Sequence, residues 1–234
     1  MNENWKRELR DAARPEKIEV LSRFFKCGPG EYGEGDRFIG LTVPDNRAIS
    51  KKYHDASLDE IASMLDEEIH EFRLAALLAL VAKFGRERDS TRQSEIVTFY
   101  LDHAERINNW DLVDLSAPQI LGRWMLDNPS PTLLDTLSEN PCLWRQRIAI
   151  VATLMLIKSR RLDDTMRLAE RYLTHPHPLI HKATGWMLRE AGKRDISRLR
   201  EFLSLHSSRM PRTTLRYAIE KMSPDERRLW LYRK

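Results

Sequence analysis

The sequence predicts an all-α protein, a solenoid of stacked helix pairs, and three observations carry that expectation. Apolar residues recur at helical spacing, as in Leu74, Leu77, Leu78 and Val81, or Ile148, Val151, Leu154 and Met155, and no stretch alternates as a strand would. Helix start signals are frequent. A repeat is visible, with longer apolar helices expected near Arg73, Trp110, Arg147, Lys182 and Thr214, in steps of 32 to 37 residues. That step lies close to the range of helix-pair repeats. Stacking places the second helix of every pair along one wall, where solenoids bind extended ligands. An irregular helical bundle with accidental spacing is the plain alternative.

The segments follow in order. Residues 1–19 mix charged and apolar residues without the apolar core of a signal peptide. Residues 27–40 hold five of the nine glycines. A phosphate-cradling P-loop would end in Gly-Lys-Ser/Thr, whereas Asp36-Arg37-Phe38 follows here, so a nucleotide site is excluded and an ordered connecting loop expected. Pro44 opens a helix. Ser57 with Glu60 reads as a capping box, and Ser223-Pro224 with Glu226 marks a further start. About a dozen helices result. The expected organisation is one domain over 1–234, with N-terminal helices and the Gly-rich loop in 1–56 and stacked helix pairs in 57–234.

Composition narrows the class further. Apolar residues make up 41% and charged residues 32% of the 234, so the chain buries a full core and is not a disordered type. Cys27 and Cys142 stand alone, in no metal-like spacing, which favours a reducing, cytoplasmic setting. Charge is unevenly placed. Residues 1–140 carry 18 Lys+Arg against 26 Asp+Glu, while residues 141–234 carry 21 against 9. A basic C-terminal arm fits a partner that is a polyanion, and a solvated basic face without a partner is the plainer reading.

Several residues have the character to form a site. Trp110 and Asp114 are four apart, on one face of a helix. Arg147 opens the next apolar helix, and Lys182, Trp186, Arg189 and Lys193 make a basic stripe with an indole inside it, suited to a phosphate backbone. Arg212 and Arg216 share a further face. Singly, such residues are more often core tryptophans and dipole-facing acids. On neighbouring repeats of one wall they would converge.

Three motifs, Asn108-Asn109-Trp110-Asp111-Leu112-Val113-Asp114, Leu143-Trp144-Arg145-Gln146-Arg147-Ile148-Ala149 and His181-Lys182-Ala183-Thr184-Gly185-Trp186-Met187-Leu188-Arg189-Glu190, resemble the AlkD-like DNA alkylation repair family in order and spacing. The Gly-rich loop with Val43-Pro44-Asp45-Asn46-Arg47 resembles that family's N-terminal region. The resemblance covers nearly the whole chain. It implies a HEAT-like solenoid with a concave basic face for duplex DNA, and a monofunctional glycosylase that excises cationic N3- and N7-alkylated purines. It also implies that Asp114 is the catalytic carboxylate, that Trp110 and Trp186 are the site tryptophans, and that Arg147 holds a phosphate. Arg147 rather than Arg145 takes that role because of its offset from Trp144 and the Ile-Ala that follows. Arg47, Lys182, Arg189, Lys193, Arg212 and Arg216 are expected along the DNA. No metal or cofactor and no membrane is expected to take part, and the protein is expected to act as a monomer.

Rival readings are a HEAT-like DNA-binding protein without activity and a helical scaffold for protein partners. A metal site at His175, His177 and His181 is disfavoured, because Pro176 and Pro178 make that segment a turn.

Overall fold

The structure, a computed structural model, describes residues 2–233, and their regular structure is helical. The helices are α1 (Asn2–Asp11), α2 (Ile18–Phe24), α3 (Val43–Ser50), α4 (Leu58–Leu65), α5 (His70–Arg86), α6 (Ser90–Asp102), α7 (Trp110–Ser116), α8 (Arg123–Asp127), α9 (Pro131–Glu139), α10 (Leu143–Lys158), α11 (Asp163–Arg171), α12 (Pro178–Arg194), α13 (Ile196–His206), α14 (Arg212–Ala218) and α15 (Pro224–Tyr232). The expected second helices are α5, α7, α10, α12 and α14, each preceded by its partner, α4, α6, α9, α11 or α13. Capping signals act as read. Ser57 and Glu60 form a reciprocal capping box, Ser223 accepts from the Glu226 N–H, and Pro44 lies in the first turn of α3 behind its N-cap Thr42.

Contacts divide the chain into two compact units, Met1–Ile120 and Leu121–Lys234. Within the first unit, α1 and α3, from the N-terminal segment 1–56, pack on α5 and share its core. The boundary falls in a π-helical turn over Pro118–Gly122. Pro118 has no N–H to give the Asp114 carbonyl, so the α-helical ladder cannot run past α7 unbroken.

In the first unit α5 is the central element. Phe72, Leu74, Ala75, Ala76, Leu77, Ala79 and Leu80 are buried around its circumference, as expected of a helix packed on all sides. It touches α1, α3, α4, α6 and α7. Trp5 stacks on Tyr53 at 4.9 Å and closes the N-terminal end of this core.

In the second unit α12 packs against both α10 and α14, while α9 and α11 pack together in the other row. Side-by-side second helices and side-by-side first helices are the arrangement of a helix-pair solenoid. Leu188, Leu199, Phe202, Leu203, Leu215 and Trp230 share its C-terminal core. Gly185 allows α12 and α14 to meet, because a Cβ there would lie 2.5 Å from the Tyr217 Cβ and 2.6 Å from the Thr214 carbonyl oxygen. Among the described residues no helix is long and apolar enough to cross a membrane.

Candidate functional site

The site residues on the first unit come from α7. Asn109 caps that helix, its side-chain oxygen accepting from the Trp110 N–H at 2.8 Å. Trp110 and Asp114 follow one turn apart, both half-buried. The Trp110 ring leans on Phe25, with centroids 5.5 Å apart and planes at 26°, and meets Phe24 edge-on at 5.8 Å. Asp114 is close enough to Tyr100 for its charge to add to burial in pushing the Tyr100 phenol above its ordinary pKa.

A buried polar network lies under the start of α7. The Asp36 carboxylate, from the Gly-rich loop, accepts from His70 Nδ1 at 3.0 Å and from Asn109 Nδ2 at 2.9 Å, and pairs with Arg73. His70 Nε2 reaches Asp111 Oδ2 at 2.9 Å. Asp36, His70 and Arg73 side chains are each 2% exposed. Burial opposes the charge on Asp36, but His70, Arg73 and Asn109 outweigh it and hold its pKa below the usual carboxylate value. Burial opposes the imidazolium as well, yet Asp111 and Asp36 lift His70 to about 9. His70 is therefore protonated at neutral pH and donates from both ring nitrogens.

Phe25 and Phe38, stacked on each other at 5.2 Å, both pack against this imidazolium, at 4.9 and 4.7 Å. Beside it opens a mostly apolar cavity of about 300 Å³, with Leu41, Pro44, Leu74 and Asp111 in its wall. The neighbouring Glu71 fixes the loop from below, accepting from the N–H groups of Ile39, Gly40 and Leu41 at 2.9 to 3.2 Å. Burial raises the Glu71 pKa, and these backbone donors pull against that rise.

The second unit carries the other expected residues. Trp186 is half-buried on α12 and Lys182 is exposed four residues before it. Arg189 pairs with Glu220 and Glu190, and Lys193 bonds Glu190 at 2.7 Å. The stripe is therefore partly neutralised within the molecule, which its spacing alone did not indicate. Arg147 is 4% exposed, and its Nη1 donates to the Leu179 carbonyl at 2.6 Å. It is thus a buried guanidinium bonded to the first turn of α12 rather than an open surface cation. Arg145 is half-buried. Arg212 folds back onto the Leu231 carbonyl at 2.8 Å, while Arg216 and, on the first unit, Arg47 are exposed.

The structure thus brings Trp110 and Asp114 together on α7, and Lys182, Trp186, Arg189 and Lys193 together on α12. Sequence reasoning missed Asp36, His70, Arg73 and Asp111. Their partners stand 34 to 41 residues apart in the chain, so no local pattern joins them. The one available signal was an acid, Asp36, inside a glycine-rich segment otherwise read as a connector. His175, His177 and His181 each have hydrogen-bond partners: His175 meets the Gln146 side chain of α10 at 2.9 Å, His177 caps α12, and His181 meets the His175 carbonyl.

The chain is similar to known proteins over most of its length. No curated protein matches it in sequence. A solved structure described as a predicted DNA alkylation repair enzyme from Enterococcus faecalis superposes with a TM-score of 0.69 at 18% identity. That match covers 91% of this chain and 97% of that one, and at such identity it establishes the helical-repeat fold alone. The model of the DNA alkylation repair enzyme family matches residues 5–222, and the chain belongs to that family.

Proposed function

We propose that this protein is a DNA glycosylase that hydrolyses the N-glycosidic bond of cationic N3- and N7-alkylated purines in duplex DNA. The observation that carries the reading is the pair on α7, Trp110 and Asp114, half-buried one turn apart within the motif whose resemblance implies the site, in a chain that the family model matches over residues 5–222. An alkylated purine of this kind already bears a positive charge, so its departure needs no general acid. The bond breaks with both electrons leaving on the base, and positive charge develops on the sugar. A carboxylate near C1′ stabilises that charge and orients the water that adds there, with one proton lost to solvent.

Asp114 is assigned this role. Trp110 and Trp186 would offer indole faces to the cationic base and sugar, each contact worth about 0.5–2 kcal/mol when partly desolvated. Trp110 is held against Phe25 and so presents its remaining face without reorganisation. Arg147 would supply a fixed positive charge for a backbone phosphate, its orientation set by the Leu179 carbonyl. Exposed Lys182, Arg216 and Arg47 would follow the duplex. Arg189 and Lys193 would join by exchanging Glu220 and Glu190 for phosphates, a small cost because exposed pairs contribute little.

The test is release of N7-methylguanine from a duplex oligonucleotide in EDTA, with wild type beside Asp114→Asn. Release by wild type alone is the expected result. Salt-sensitive duplex binding without release by either protein would overturn the catalytic assignment and leave a DNA-binding protein.

A further inference from the structure

The buried residues beneath α7 take no part in the chemistry above, yet two of them, Asp36 and His70, tie α7 to other elements. This helix has seven residues and ends at a π-turn, so little of its own hydrogen bonding fixes its direction. The ties supply that direction. Asp36 accepts from Asn109, the N-cap of α7, with the same oxygen that meets His70, while its other oxygen pairs with Arg73 of α5. His70 holds Asp111, in the first turn of α7, at 2.9 Å. One carboxylate and one imidazolium thus connect the Gly-rich loop, α5 and α7 at the two residues on either side of Trp110. The aromatic contacts repeat the connection, since Phe25 packs on both His70 and Trp110.

We propose that Asp36 and His70 are positioning residues for the catalytic helix, the Asp36–His70–Asp111 relay setting the direction in which Trp110 and Asp114 project. This rests on the glycosylase reading for its kinetic consequence only. A buried ionic relay is a poor source of stability compared with apolar packing, but it tolerates few alternative arrangements, because each donor has one acceptor to return to. The charged and titratable groups around His70 are Asp36 from the loop, Asp111 from α7, and Glu71 and Arg73 from its own helix. Arg106, Cys27 and Lys17 lie at the edge of the group. Loss of the His70 proton leaves Asp36 and Asp111 competing for the single N–H of a neutral ring.

The experiment uses the full chain, as wild type, Asp36→Asn and the milder Asp111→Asn, which alters a side chain still 16% exposed. The Trp110 indole N–H resonance, assigned by its absence in Trp110→Phe, is followed from pH 6 to 10 beside single-turnover release and duplex affinity. In wild type the Trp110 signal is expected to move with the His70 titration, and in both variants that coupling disappears. Single-turnover release is expected to fall about 10- to 100-fold while affinity for the duplex stays within about threefold. A Trp110 signal blind to His70 and unchanged in Asp111→Asn overturns the proposal, as does a loss of release matched by an equal loss of binding. If wild type releases no base, the glycosylase reading fails, and the Trp110 titration still decides the positioning role. If Asp36→Asn does not fold, Asp111→Asn decides it.

Discussion

The two units carry opposite charge and place it differently. Residues 1–120 hold 17 Lys+Arg against 23 Asp+Glu, and residues 121–234 hold 22 against 12. In the acidic unit the charges with structural consequence lie inside: Asp36, His70, Glu71 and Arg73 are all buried and bonded to one another or to backbone. In the basic unit most candidate cations lie outside, and Arg147 is the buried exception. Buried charges at fixed distances respond to geometry and proton binding, while exposed cations respond to ionic strength. The first unit is therefore suited to hold chemistry in register and the second to supply attraction for a polyanion.

The largest effect that separates the two roles is the loss of chemistry without loss of binding. Asp114→Asn is expected to lower N7-methylguanine release by about 10²- to 10³-fold, with the salt dependence of duplex binding unchanged. Equal loss of both would break the division of labour between the units.

Stability gives the next contrast. Replacing one member of a buried ion network leaves its partner charged and unpaired, which costs about 3–5 kcal/mol. Asp36→Asn should approach that range, since it abandons Arg73 and weakens His70 in a site 2% exposed. Arg216→Ala, on an exposed face of the other unit, should stay within about 0.5 kcal/mol. Urea denaturation followed by hydrogen exchange, which reports each unit separately, checks both values. Equal sensitivity at the two positions would mean that the charge placement is incidental.

Proton linkage sharpens the same point. The folded pKa of His70, about 9, lies above its ordinary value of 6.5, so the folded state binds the extra proton between these limits. Its contribution is complete below pH 6.5, declines as pH rises, and is gone above pH 9. The amount is about 3 kcal/mol at one pKa unit per 1.36 kcal/mol. Stability measured from pH 6 to 10 should show this decline in wild type, and His70→Gln should flatten it. A wild-type stability that holds constant through pH 9 would contradict an imidazolium clamped between Asp36 and Asp111.

What the sequence disclosed depended on the range of the interaction. The helix pairs were legible because periodicity and caps are local, and the expected starts near Arg147, Lys182 and Thr214 fall within four residues of the observed starts of α10, α12 and α14. Trp110 and Asp114 were legible as a pair because i and i+4 share a face. The relay was not legible, because Asp36, His70 and Asp111 come from a loop and two helices, and only the fold makes them neighbours. The burial of Arg147 was hidden for a similar reason, since its partner is the Leu179 carbonyl 32 residues on. The neutralisation of Arg189 by Glu220 also escaped, because an acid on the next repeat cannot be paired from spacing alone.

That last pair gives the smallest and most discriminating effect. Each cation that displaces a counterion from DNA changes the slope of log affinity against log salt by about 1. Lys182→Ala and Arg216→Ala should each reduce the slope by about that amount, because both side chains are exposed. Arg189→Ala should reduce it by less, because Arg189 must first leave Glu220 before it can meet a phosphate. Glu220→Gln then becomes the informative variant: it releases Arg189 from that partner and also removes a negative charge, so duplex affinity at low salt should rise and the slope steepen. An unchanged slope in Glu220→Gln would place Arg189 away from the duplex and leave Lys182, Trp186 and Lys193 as the binding face of α12.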